Sequence, residues 1–249
     1  MGRASRRKRE RCTSINIQAN GATAARLPIH NESFQSLAFT PPVVFRFFRD
    51  PSHADALAGG RVWISTLETC RRYEDPQQGD PEEGFMRYNT GHMVGDSEDQ
   101  DFVMVARRAG IYIGPGCSNI SLSNNTSVCA LPDAFVLCAT ERFDPNALSE
   151  VFGMHCVAIH DPIAFFQHVT AQLTRIHDIT EATLGRIIYK DRFYTGLEQP
   201  PGLMGFVKPP DRYSDQNEFR LLWTVRRNAP ISPFELNVPT VSSLCTRVA

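Results

Sequence analysis

Short apolar runs recur along the chain, and each is bounded by residues that favour turns. They are VVFRFF (43–48), RVWIS (61–65), DAFVLCAT (133–140), MHCVAI (154–159) and EFRLLW (218–223). Runs this short, rich in Val, Ile, Phe and Trp, predict strands rather than helices. Helical patterns do not alternate regularly with them, which argues against a doubly wound parallel sheet. The sequence therefore predicts an α+β fold with a mixed, largely antiparallel sheet and a few short helices.

Two predicted helices begin with the same dipeptide, Asp-Pro. DPNALSEVFG (144–153) has an Asp N-cap and a Gly C-cap, and DPIAFFQHVTAQLTRI (161–176) carries an apolar stripe at helical spacing. HADALAGG (53–60) predicts a third, short helix that its two glycines close. DFVMVARR (101–108) and GIYIG (110–114) together predict a hairpin.

Composition sets the predicted domain limits. Residues 1–11 carry a local charge of about +5 although the whole chain is close to neutral at −1. We therefore predict a flexible basic leader (1–40), a single α+β domain (41–240) and a tail (241–249). Basic leaders of this kind also contact nucleic acid, and residues 3–11 are the candidates here. The acidic, Gly-rich segment 77–101 predicts a long surface excursion, either a lid or disordered.

Cysteine usage and hydropathy indicate in which cellular compartment the chain is located. The seven cysteines are scattered and form no C-x-x-C pair, so the sequence predicts no zinc site. Free thiols in apolar runs are typical of a reduced compartment, and we predict a cytoplasmic location. No apolar run approaches the length of a membrane span, so the sequence predicts no membrane partner.

The polar start of the last long strand is the first candidate site. If the strand includes residue 216, then Gln216, Glu218 and Arg220 share one face by alternation. The opposite, buried face is predicted to carry Phe219, Leu221 and Trp223. The polar face would be either one wall of a ligand site or a solvated surface on which Glu218 and Arg220 pair weakly.

Polar side chains also interrupt the two early strands. Arg46 lies in the middle of the first apolar run, where an unpaired charge is costly. It therefore needs an anionic ligand, an internal carboxylate such as Glu218, or a route to solvent. Ser65 and Thr66 end the second strand, where hydroxyl groups can hold a ribose. Ser65 with Glu68 also fits the capping box of a helix that starts at this point.

These residues, in this order, resemble the Arg–Ser–Glu branch of the ADP-ribosyltransferase superfamily. The matching segments are VVFRFF, WIST and YSDQNE. The resemblance implies a split β fold that takes NAD as co-substrate and uses no metal. Arg46 would bind the NAD phosphates, with Ser65 and Thr66 supporting the site. Glu218 would be the catalytic carboxylate that stabilises the oxocarbenium-like transition state.

The same resemblance assigns the acceptor side of the reaction. Gln216 would orient the acceptor and act with Glu218 in catalysis. Tyr213 would recognise the target, and we assign Arg220 to substrate recognition as well. The acceptor would be a protein or a nucleic acid.

A second resemblance covers more of the chain. The segments VFRFF, LAGGRVWIS, FGMHCVAI and KPPDRYSDQNEFRLLW are together similar to a bacterial and phage family described only as a domain of unknown function. That family combines an early aromatic–Arg strand, a segment ending in Trp-x-Ser and a late Lys…Glu-x-Glu-x-Arg strand, where this chain has Gln216 in place of the first Glu. It places Arg46, Ser65, Glu218 and Arg220 in one recurring pattern.

The sequence thus supports two functional hypotheses. The first is an ADP-ribosyltransferase-like or NAD-cleaving enzyme, acting as a toxin, effector or defence protein. The second is a non-catalytic ligand-binding or sensor module of a bacterial or phage defence system, in which Arg46 and Glu218 form an internal ion pair. A third reading, a nucleic-acid-processing enzyme, lacks an evident metal-binding set of carboxylates in the sequence.

Overall fold

The computed structural model describes residues 40–74, 78–145, 148, 152–226 and 230–249. The strands in these ranges are β1 Val43–Phe48, β2 Arg61–Thr66, β3 Phe85–Asn89, β4 His92–Gly95, β5 Ile120–Ser123, β6 Thr126–Ala130, β7 Phe135–Thr140, β8 His155–His160, β9 Ile179–Arg186, β10 Ile188–Tyr189, β11 Phe193–Thr195, β12 Val207–Lys208, β13 Glu218–Val225, β14 Phe234–Asn237 and β15 Cys245–Arg247. The α-helices are α1 Pro51–Ala58, α2 Leu67–Arg72, α3 Gln100–Arg108, α4 Pro162–Leu173 and α5 Pro210–Tyr213. Short 3-10 helices span Ser214–Gln216 and Pro239–Leu244.

Over the described residues, the main sheet has eight strands and branches at β7. Along one edge β7 pairs with β13, which in turn pairs with β9. Along the other edge β2 pairs with the start of β7, at Val136, and β1 pairs with its end, at Thr140. β1 and β2 therefore diverge and leave a gap between them, while β14 extends β2, and β8 and β15 extend β1. Every pair in this sheet is antiparallel, which confirms the predicted α+β class.

One face of the sheet carries the main hydrophobic core. Helices α1 and α4 cover it, and β13 contributes Phe219, Leu221 and Trp223, as predicted. Trp223 is fully buried and donates its indole N–H to Thr170 of α4 at 2.8 Å. A polar group buried this way needs such a partner, so the bond fixes α4 on the sheet. Smaller contacts on the opposite face come from Val136, Leu222 and their neighbours.

A second unit projects from the sheet and has its own core. We call β3–β6, α3 and β11 the satellite unit. Strands β11, β3 and β6 form one small sheet, and β4 with β5 forms another. Its core contains Tyr88, Phe102, Val105, Ala106 and Leu122.

The satellite unit corrects two predictions. Segment 101–108, predicted as a strand, forms α3, because Asp99 caps the helix by accepting from the backbone N–H groups of Asp101 and Phe102. Phe102, Val105 and Ala106 then share one buried side at helical spacing. The excursion predicted over 77–101 contains β3 and β4 over its described part, so a purely loop-like excursion is wrong.

The other predicted limits have mixed outcomes. Helices α1 and α4 confirm two of the three predicted helices, and each begins at Pro after an Asp N-cap. Half of the helix predicted over 144–153, and all but residue 40 of the leader predicted over 1–40, lie outside the described residues. Segment 241–249, predicted as a tail, includes β15, which pairs with β8 at the sheet edge. No helix in the described ranges is long and apolar enough to cross a membrane.

Candidate functional site

A cluster of charged side chains lies beneath the sheet, on the face opposite the main core. Its members, which we call the charge cluster, are Asp80, Glu83, Arg192, Lys208, Glu218 and Arg220. None of them is more than 5% exposed. Three acids and three bases balance the formal charge, which is the condition under which ionised groups tolerate burial.

Glu218 is the first residue of β13 and is paired through both carboxylate oxygens. Oε1 accepts from Nε of Arg220 at 2.7 Å, and Oε2 lies 2.7 Å from Nζ of Lys208. Burial alone would raise the pKa of Glu218, but Arg220 and Lys208 outweigh that effect and lower the pKa to about 2. The backbone N–H of Glu218 donates to the hydroxyl of Tyr189 at 2.8 Å. Burial raises the pKa of Tyr189 to about 12, so this hydroxyl stays neutral.

Arg220 is the centre of the charge cluster and is 1% exposed. Besides Glu218, its guanidinium contacts Glu83 in a two-pronged pair, with Nη1 at 2.7 Å from Oε1 and Nη2 at 3.0 Å from Oε2. Nη1 also donates to the Gly205 carbonyl at 2.6 Å. Burial opposes the charge, but Glu218 and Glu83 overcome it and raise the pKa of Arg220 well above its ordinary value. The guanidinium is therefore permanently charged and fully compensated.

Arg192 and Lys208 complete the charge cluster. Arg192 binds Asp80 through two N–H groups at 3.0 and 2.5 Å and donates Nε to the Val207 carbonyl at 2.9 Å. Nζ of Lys208 lies 4.8 Å from the centre of the Tyr213 ring, within cation–π range. Burial opposes the charge on Lys208, and Glu218 counteracts it, so the pKa of Lys208 rises above its ordinary value.

The structure places Glu218 on the face of β13 opposite Phe219, as predicted, but Gln216 does not share that face. The strand begins at Glu218, because Asn217 adopts a left-handed conformation (φ 44°) that ends the preceding 3-10 helix. Gln216 belongs to that 3-10 helix, so the predicted shared strand face of Gln216 and Glu218 is wrong. The polar face of β13 is also not solvated, since Glu218 and Arg220 are both buried.

Tyr213 is buried as well. It is 2% exposed, and its hydroxyl donates to the Gly79 carbonyl at 2.9 Å. Burial raises the pKa of Tyr213. Its hydroxyl therefore bonds to Gly79 and its ring packs beside Lys208 in the interior. In this conformation neither group reaches a target outside the chain.

Arg46 lies apart from the charge cluster, in the middle of β1. Its side chain leaves β1 on the face of Val44, which belongs to the main core, whereas Glu218 lies on the opposite face. The guanidinium reaches the gap between β1 and β2, where Nη1 donates to the Trp63 carbonyl at 3.2 Å. It also lies 5.4 Å from the centre of the Phe48 ring. The internal ion pair predicted between Arg46 and Glu218 is therefore wrong.

Ser65 and Thr66 flank the gap from β2. Ser65 pairs with Val136, and Thr66 caps α2 by accepting from the backbone N–H of Thr69 at 3.2 Å. The capping residue is thus Thr66, so the capping box predicted for Ser65 and Glu68 is wrong by one residue. Val136 pairs with Leu222 of β13, four residues beyond Glu218, which separates Ser65 from Glu218 by about 13 Å along the strand direction.

Sequence reasoning missed Asp80, Glu83 and Arg192 altogether. Asp80 and Glu83 lie in the acidic segment that was predicted to be a surface excursion, and Arg192 follows a polar turn. Lys208 carried a signal, because the second resemblance includes a late Lys together with Glu218 and Arg220. The structure brings these three residues into direct contact.

Two surface cavities lie away from the charge cluster. One is lined by Ser97, Gln100, Val103, Met104, Arg107 and Arg108, and the other by Thr40, Pro41, Pro42, Asp161, Pro162 and Ile163. Among the described residues, no group of three or more His, Cys, Asp or Glu side chains is placed to hold a metal ion.

Comparisons of the chain with protein-family models, with curated proteins and with solved structures give no match. The functional argument therefore rests on the geometry of the chain itself. A carboxylate with a pKa near 2 and both oxygens bound to cations is a poor proton acceptor at neutral pH and is shielded from a reacting sugar. In this closed arrangement Glu218 is suited to holding the fold together.

We expect Glu218→Gln to destabilise the fold by about 3–5 kcal/mol, because it leaves Lys208 and Arg220 without the carboxylate they share. The loss should depend on pH. The pKa of this carboxyl group is about 2 in the folded chain against an ordinary value of 4.5. Its ionisation therefore stabilises the fold above about pH 4.5, and this contribution disappears as the pH falls toward 2.

Urea unfolding from neutral to acid pH measures this effect. The difference in free energy of unfolding between the original chain and Glu218→Gln should be constant near neutral pH and shrink below about pH 4.5. Glu235→Gln is the control, because Glu235 pairs with Arg61 on the surface at 3.5 Å and should cost less than about 1 kcal/mol. Equal losses for the two variants would contradict a structural role for Glu218.

Proposed function

We propose that this chain is a non-catalytic module that binds an anionic ligand through Arg46, in the gap between β1 and β2. The observation that carries the proposal is the contrast between Arg46 and the charge cluster. Arg192, Lys208 and Arg220 each have a carboxylate partner. Arg46 is half-buried, and its partners among the described residues are a neutral carbonyl and an aromatic ring.

Among the described residues, the contacts of Arg46 leave most of its hydrogen-bonding capacity unused. A guanidinium has five N–H donors in a fixed fork, and one of them donates to Trp63. A half-buried charge with a neutral acceptor is less well compensated than one with a carboxylate. A phosphate or carboxylate group on a ligand would supply the missing charge and accept two parallel N–H bonds.

The gap gives a ligand a defined surface. Trp63, on the β2 side, is half-exposed beside the carbonyl that Arg46 contacts. By alternation along β2 the Trp63 ring lies opposite Val62 and Ile64 of the main core, so the ring beside the Arg46 guanidinium is that of Phe48, on the same face of β1. The buried charge cluster would then be the rigid support that holds β13 and β7 behind this surface.

Arg46→Gln should weaken binding of the anion by about tenfold or more, because it removes a charge-assisted bond. Isothermal titration calorimetry with pyrophosphate, and separately with NAD, would measure the dissociation constants. Arg61→Gln is the matched control, since Arg61 lies on β2 and already pairs with Glu235. The control should bind as the original chain does.

Two outcomes would contradict the proposal. One is that the original chain binds neither probe. The other is that Arg46→Gln and Arg61→Gln weaken binding equally, which would indicate a diffuse charge effect instead of a site at Arg46.

NAD cleavage is the second candidate function, and the position of the gap favours it. Arg46 borders the gap on one side and Ser65 and Thr66 border it on the other, the pair of segments that the ADP-ribosyltransferase resemblance requires. For this function Glu218 would have to leave Lys208 and Arg220 before it could contact a ribose.

Incubation with NAD and a cell lysate, followed by measurement of free nicotinamide, tests this candidate. If it is right, nicotinamide should accumulate, and Glu218→Gln should lower the rate by at least about a hundredfold. Glu235→Gln should leave the rate unchanged. No release above that of a heat-inactivated sample would exclude NAD cleavage by this chain under those conditions.

A further inference from the structure

Ion pairs and hydrogen bonds tie the satellite unit to the main sheet, together with a small apolar contact. In the described ranges, no strand pair joins the two and the satellite core is separate from the main core, while Leu131, directly after β6, packs against the smaller cluster that contains Val136 and Leu222. The satellite unit is also well connected internally. Tyr88 of β3 packs against Tyr194 of β11 with ring centres 4.9 Å apart, and Arg108 of α3 donates to the Gly196 carbonyl just beyond β11.

The charge cluster lies where the satellite strands begin. Glu83 is two residues before β3, and Arg192 is directly before β11. The starts of β3 and β11 are held side by side, because the backbone N–H of Arg87 donates to the Arg192 carbonyl at 3.0 Å. Asp80 binds the Arg192 side chain, so the charged residues that precede these two strands form one ionic group.

Cationic side chains outside the satellite unit contact the segment that precedes β3. Arg220 of β13 binds Glu83 through two contacts, and Lys208 of β12 lies 3.7 Å from the same carboxylate. Arg71 of α2 donates Nε to the Glu83 carbonyl at 2.9 Å and Nη2 to the Leu131 carbonyl at 3.0 Å. Arg192 in turn donates to the Val207 carbonyl.

Each side of this joint keeps a paired charge of its own. On the satellite side Asp80 remains bound to Arg192 if the joint opens. On the sheet side Glu218 remains bound to Lys208 and Arg220. The contacts that must break are the ion pairs of Glu83 with Arg220 and Lys208, the Arg71 bond to the Glu83 carbonyl and the Arg192 bond to the Val207 carbonyl. Separation of the Glu83–Arg220 pair returns two charged groups to water, and that hydration offsets much of the lost attraction.

We propose that the satellite unit undocks from the main sheet as one body, with the Glu83–Arg220 pair as its latch. A joint made of ion pairs opens at a lower free-energy cost than an apolar interface of equal extent, because opening exposes no large apolar core to water. The satellite core stays intact during this motion. Undocking brings Glu218, Lys208 and Arg220 to solvent, which the closed form prevents.

Hydrogen exchange followed by mass spectrometry tests the latch. In Glu83→Gln, amides of β3, β6, α3 and β11 should exchange at least about tenfold faster, while amides of β1, β7, β8 and β13 keep their protection. Glu82→Gln is the matched control, because Glu82 is the neighbouring residue and pairs with Arg87 on the surface. It should leave both regions unchanged.

Three results would overturn the proposal. Equal acceleration in the satellite unit and the main sheet would show global unfolding, and no acceleration in either would show that Glu83 does not hold the satellite unit on the sheet.

If Glu83→Gln does not fold, the original chain is measured with increasing low concentrations of guanidinium. Satellite amides should then exchange through an opening of lower free energy than that of the sheet. A single common opening would overturn the proposal.

Discussion

A guanidinium group that leaves water must find anionic partners inside the protein, and Arg220 imposes this requirement on the whole chain. Its position follows from β13, where Phe219 and Leu221 pack in the main core and turn Arg220 to the opposite face. One partner is local, because Glu218 precedes it by two residues on the same face. The other, Glu83, must be brought from a distant part of the chain, and Asp80 and Arg192 accompany it.

The charge cluster specifies the structure more than it stabilises it. Replacement of a buried ion pair by apolar side chains is often neutral in stability, so retained charges point to a constraint on geometry. A slip of β13 by one residue would turn Arg220 into the main core and Leu221 toward the acids. Such a slip is excluded by the free-energy cost of burying the Arg220 charge in the apolar core. The same charges fix where the satellite strands leave the sheet, and they set Glu218 apart from Arg46.

Local features of the chain were predictable, and long-range ones were not. The strands around Arg46 and Ser65 and the helix after Asp161-Pro162 follow from runs of neighbouring residues. Gln216 was misplaced because one left-handed residue, Asn217, ends a 3-10 helix and delays the start of the strand to Glu218, which no periodicity reveals. Glu83 could not be found because its partner Arg220 is 137 residues away, and an acidic segment reads the same whether it is solvated or buried.

The central claim is that Glu83 and Arg220 act as one unit that holds the fold and its satellite together. A double-mutant cycle with Glu83→Gln and Arg220→Met, followed by urea unfolding, measures their coupling directly. We predict that each single substitution costs about 3–5 kcal/mol, and that the double variant loses less than the sum by at least about 2 kcal/mol. Losses that add to within about 0.5 kcal/mol would show that the two residues are independent, and would contradict the account.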